Sequence, residues 1–124
     1  MTSAWDNTGD WECSFKYKAS GGRAGALIIK SDETSRDNNE IMVRGGGVYV
    51  YVNGSSQSVS VINLSNNTYY NVKLTKQNGT LTLELNNNQY TLSWSLISTL
   101  STLAIGVDSW GDTATIKDII VKPL

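Results

Sequence analysis

The sequence predicts an all-β domain of antiparallel strands, folded as a sandwich or a barrel. Three observations carry that expectation. Apolar and polar residues alternate with period two in most segments, as strands with one dry and one wet face require. Turn formers punctuate the chain every 8–12 residues or so, the rhythm of sandwiches and barrels. No long helical pattern competes with them.

The first long strand is Trp11 to Lys18, where Trp11, Cys13, Phe15 and Tyr17 alternate with Glu12, Ser14, Lys16 and Lys18; Ser20-Gly21-Gly22 ends it. Ala26 to Lys30 is a short apolar run expected to be a buried strand, and Ser31 to Asn39 a polar loop. Glu40 to Arg44 resumes a strand, broken by Gly45-Gly46-Gly47. Val48 to Val52 is wholly β-branched and aromatic and closes on Asn53-Gly54, a hairpin signal. Val59, Val61 and Leu64 carry the next strand, with a turn at Ser65-Asn66-Asn67.

The clearest hairpin follows. Val72 and Leu74 alternate along one strand, Leu81, Leu83 and Leu85 along the next, and Asn78-Gly79 between them tolerates the positive φ of a tight primed turn. Asn86-Asn87-Asn88 ends it, and Tyr90, Leu92 and Trp94 alternate again. Trp94 to Leu103 is ambiguous: Leu96, Ile97, Leu100 and Leu103 have near-helical spacing among Ser and Thr. Leu103, Ile105 and Val107 form a strand before the loop Asp108 to Asp112, and Thr115 to Lys122 is the last.

The 124 residues suffice for one domain that buries a core without staples. A net charge of −1, with scattered Lys and Arg, argues against a nucleic-acid partner. No apolar run reaches the ~20 residues that span a bilayer, so no membrane insertion is expected. The abrupt start before Trp5 suggests a module excised from a larger protein.

One cysteine and no histidine exclude an intrachain disulfide, a Cys/His zinc site and any histidine-based triad. Cys13 shares its parity with Trp11, Phe15 and Tyr17, so it reads as a small buried hydrophobe.

Three stretches carry a resemblance. Tyr69 to Leu83 resembles the "W-Y-x-V-x-L-x-R-x-G-x-x-L-x-L-Y-V-x-G" hairpin of the concanavalin A-like jelly rolls, which include laminin G-like and pentraxin-like domains and related carbohydrate-binding modules. Ala114 to Leu124 is similar to their "x-x-I-x-D-I-x-V-x-P-L" ending, and Asp6 to Phe15 to their "D-W-x-x-x-F" first core strand. The hairpin departs where the family has "Y-V-D-G" and this chain has Glu84-Leu85-Asn86-Asn87. The resemblance implies a two-sheet, antiparallel jelly-roll β-sandwich across residues 1–124. It also implies a lectin-like or adhesive module of microbial surface or phage tail proteins, at a cell surface or virion.

Glucanases of this fold place their carboxylates on one strand as E-x-D-x-x-E or E-x-x-x-E, and that pattern is absent. Glu12, Glu40 and Glu84 each stand alone in their strands. The expectation is therefore a non-catalytic module that binds a polysaccharide or cell-surface glycan. The alternative is a structural spacer or assembly domain of an adhesin or tail fibre, without a glycan site.

Sugars are held by aromatic faces with planar amides, carboxylates and Arg around them. If Val48, Val50 and Val52 face the core, Tyr49 and Tyr51 form an outward pair about 7 Å apart; the reverse orientation would bury them. Arg44 lies just before that strand, and Arg23 and Lys30 flank the other short strand, Ala26 to Lys30. Trp110, in a Gly-flanked loop, is a further ligand candidate or packs over the sandwich end. For calcium, Asp6 and Asp10 would have to converge with Asp108 and Asp112, with Asp118 in addition; otherwise these are turn formers.

Overall fold

A computed structural model describes residues 3–30, 39–45, 47–52, 55–61, 63–92, 102–109 and 111–124, the side chains of 3–4, 27–30, 39, 52, 56–57, 60–61 and 108–109 excepted. The expected turn at Asn53-Gly54 and residues 94–101 of the ambiguous stretch lie outside the described residues; its last two, Thr102 and Leu103, are strand.

Eleven strands are described: β1 (Ser3–Asp6), β2 (Trp11–Ala19), β3 (Ala24–Lys30), β4 (Asn39–Arg44), β5 (Gly47–Val52), β6 (Ser55–Val61), β7 (Tyr70–Gln77), β8 (Thr80–Leu85), β9 (Asn88–Leu92), β10 (Thr102–Ser109) and β11 (Ala114–Pro123). They form a six-stranded sheet, β1-β10-β3-β4-β5-β6, and a five-stranded sheet, β11-β2-β7-β8-β9. Every pairing is antiparallel. The architecture is a two-sheet sandwich, one of the two the alternation allows and the one the resemblance implies.

The inward positions of both sheets make one core. Trp11, Cys13, Phe15 and Tyr17 of β2 face Ala26, Ile41, Val43, Val48 and Val50 of the other sheet, with Val72, Leu74, Leu81, Leu83 and Leu85 beside them. Trp5 and Trp11 meet edge to face, centroids 5.3 Å apart, which closes one end of the core. Toward the other end, Tyr17 Oη donates to the Ala24 carbonyl at 2.7 Å, so its buried hydroxyl is satisfied across the sheets.

The β7–β8 turn follows its sequence signal. Asn78 and Gly79 take φ of 52° and 77°, both left-handed, as a primed turn requires. Asn86 and Asn87, expected only to end a strand, take 49° and 71° and form a second such turn into β9. Asparagine tolerates this region better than most residues, and Asn86 Oδ1 ties the turn to the start of β7 by accepting the Asn71 N–H at 2.8 Å.

Two expectations change. Ser3–Asp6 is a strand, pairing with β10 through Trp5 opposite Leu103. Leu64 lies beyond β6, and its N–H donates to the Gly45 carbonyl at 3.1 Å instead of joining a ladder.

Candidate functional site

On β5 the alternation resolves in one direction. Val48 and Val50 are buried in the core, so Tyr49 and Tyr51 point away from it, onto the outer face of the six-stranded sheet. Both rings are half-buried there and pack against Met42. Register explains the grouping: Met42 stands opposite Tyr49, and Glu40 opposite Tyr51. Arg44 stands opposite Gly47, which has no side chain to crowd it. Its guanidinium carbon lies 4.9 Å from the Tyr49 ring centroid.

This face is not uniformly wet. Glu40 and Met42 on β4 and Ala104 on β10 turn away from the inter-sheet core, yet each is at most 3% exposed. Exposure rises across Tyr49 and Tyr51 to Ser58 on β6, which is open to solvent. The tyrosine pair therefore stands at the border between the covered and open halves of the sheet. Among the candidates, Tyr49, Tyr51 and Arg44 come together. Arg23 sits two residues before Gly25, the partner of Arg44 in the ladder, and its N–H donates to Asp112 Oδ2 at 2.9 Å. Trp110 lies outside the described residues.

The calcium candidates do not converge. Asp10 precedes Trp11 and Asp112 precedes Ala114, and the β2–β11 register sets Trp11 opposite Pro123 but Ala19 opposite Ala114. A whole strand, roughly 25 Å, separates those two ends. On β10 Asp6 pairs with Thr102, six residues or about 20 Å from Asp108. The described carboxylates have separate partners instead, and of these only Asp6 serves its own turn. Asp6 Oδ1 accepts from Thr8 N–H and Oγ1, both at 2.9 Å, and these bonds lower its pKa. Asp10 Oδ1 accepts the Asn78 N–H at 3.2 Å. Asp118 sits in a bulge of β11, with φ 55° and Lys16 at 3.7 Å. Among the described residues no group of three or more His, Cys, Asp or Glu could hold a metal ion.

Two carboxylates isolated in sequence do meet. On the outer face of the five-stranded sheet, Lys73 Nζ lies 3.4 Å from Glu12 Oε1 and 3.3 Å from Glu84 Oε2. Lys122 holds the other Glu12 oxygen at 3.1 Å. Lys122 first, and Lys73 after it, keep the Glu12 carboxyl below its ordinary range. A general acid needs the opposite shift. Burial pushes the Cys13 thiol up to about 12, so it is no nucleophile at neutral pH.

The fold is the concanavalin A-like jelly roll. Similar solved structures include the carbohydrate-binding module CBM66 from Bacillus subtilis, at 16% identity over 98% of this chain and 78% of that one, with a TM-score of 0.65. Sheep galectin-11, in complex with glycerol, matches at 10% identity over 97% of this chain and 95% of its own, TM-score 0.60. Alginate lyase A1-II', of polysaccharide lyase family 7, matches at 16% identity over 97% of this chain and 64% of its own, TM-score 0.65. No protein-family model and no curated protein matches the sequence. At these identities the likeness is one of fold, which binding and cleaving proteins share.

Proposed function

We propose that this domain is a non-catalytic glycan-binding module acting at a cell surface or virion, with Tyr49, Tyr51 and Arg44 as its contact residues. One observation carries the reading: two half-exposed tyrosine rings share a sheet face with a guanidinium stacked on one of them. A sugar ring has an apolar C–H patch that suits an aromatic face and hydroxyls that suit a planar five-donor fork. The stack holds Arg44 in place before ligand arrives, which reduces the ordering cost of binding.

The test is a pull-down on insoluble polysaccharides, backed by a glycan array, with wild type and the Tyr49→Ala/Tyr51→Ala double variant. Retention of wild type and its loss in the variant is the expected result. Wild-type silence on every polymer would overturn the proposal and favour a spacer or assembly domain.

A further inference from the structure

A groove of about 440 Å³ lies on the other sheet, across the outer faces of β11, β2, β7 and β8. Register creates it. Ser14 stands between Ile120 and Lys73, and in the next row Lys16 stands opposite Asn71. Short side chains at Ser14 and Asn71 thus lie among long ones, and the surface is depressed over them. Glu84 beyond Lys73, and Asn87 from the β8–β9 turn, wall one side. On the opposite side the β11 bulge turns Asp118 outward and leaves the aliphatic side chain of Ile120 58% exposed.

We propose that this groove is a second ligand site, built for a short neutral oligosaccharide. The charges within it cancel: Lys16 is matched by Asp118 at 3.7 Å and Lys73 by Glu84 at 3.3 Å. Neither an anionic nor a cationic ligand gains from such a lining. Ion pairs this open to solvent contribute little, so their heads can re-pair with hydroxyls at little cost. Ammonium donors, carboxylate acceptors and the two-way amides of Asn71 and Asn87 line the groove together. Vicinal hydroxyls, each both donor and acceptor, complement that mixed lining. Ile120 offers an apolar surface to the C–H face of a ring. The volume falls within the range of about 300–1,000 Å³ typical of small-molecule sites. The inference rests on the glycan-binding reading but uses the opposite sheet, so the two can fail separately.

The experiment is a chemical-shift titration of ¹⁵N-labelled protein with cellohexaose, maltohexaose, mannohexaose and laminarihexaose. One of these is expected to shift the Ser14 and Asn71 backbone amides and the Asn87 side-chain amide. Ser14→Gln, which fills the floor, and Ile120→Ser are each expected to weaken that binding at least tenfold, with no effect from Tyr49→Ala. Ile120 is on an exposed rim, so its variant keeps the test valid should Ser14→Gln destabilise the sheet. Unchanged affinity in Ile120→Ser overturns the groove site. Shifts confined to Arg44, Tyr49 and Tyr51 overturn it while upholding the first site. Absence of any shift also overturns it, and the polysaccharide pull-down then decides the first site alone.

Discussion

Arg44 lies over the ring of Tyr49, 4.9 Å from guanidinium carbon to centroid, on the face opposite the buried Val48 and Val50. The pair couples stability to recognition, because the same stack orders the fork and covers part of the ring. Arg44→Lys keeps the charge but loses the planar fork, so glycan retention is expected to fall while the fold persists. Arg44→Ala is expected to cost about 0.5–1 kcal/mol of stability, the worth of an exposed cation–π contact. Isothermal titration on a retained glycan and urea unfolding check the two halves.

Glu12 gives a pH prediction. Its carboxyl is held below the ordinary value of 4.5 by Lys122 and then Lys73. A depressed folded-state pKa contributes stability that is complete above the unfolded value and lost as pH falls through the folded one. Lys122→Met should therefore move the Glu12 titration upward, and Lys73→Met should move it less. Carboxyl ¹³C titration by NMR reads both shifts, and the reverse ranking would contradict the ordering of causes.

Cys13 is fully buried and its thiol is pushed up to about 12. Native protein at pH 8 should leave a thiol-reactive disulfide reagent untouched, with one equivalent reacting after unfolding in guanidinium. Cys13→Ser places a hydroxyl among Trp11, Phe15 and Leu74, and should cost about 1–3 kcal/mol for a polar group without a partner. Thermal unfolding measures that loss.

Gly79 has φ 77° and open space where a Cβ would stand. Gly79→Ala therefore pays for conformation and not for a clash, about 1–2 kcal/mol. Urea unfolding should show the loss with no change in the slope, since the core beneath the turn is unaltered.

Much of this is legible in the sequence alone. The parity of Trp11, Cys13, Phe15 and Tyr17 named the core face of β2, because burial on a strand has period two. Asn78-Gly79 named its turn, because few residue pairs accept two left-handed φ values. On β5 the sequence left two orientations open, and packing decided that Val48 and Val50 are core and the tyrosines outward. Ser3–Asp6 was not legible: four residues are too few to display a period, and only pairing with β10 makes them a strand. The Asn86-Asn87 turn could have been found from its two asparagines, which share the αL tolerance of Asn78.

The sequence by itself determined which side is dry in the strands that alternate, such as β2, β7 and β8, and where the chain can reverse, since both depend on neighbouring residues alone. On β5, apolar on both sides, packing decided it. The sequence also marked the β7–β8 hairpin as scaffold, and its inward leucines are that. Tertiary structure decided what the outward side of the same hairpin does. Lys73 meets Glu12 and Glu84 only because β2, β7 and β8 lie adjacent in one register, and the Ser14–Asn71 depression has the same origin. Register also set Asp10 and Asp112 at opposite ends of one strand. Contacts between strands depend on which residues stand side by side, and no local pattern encodes that.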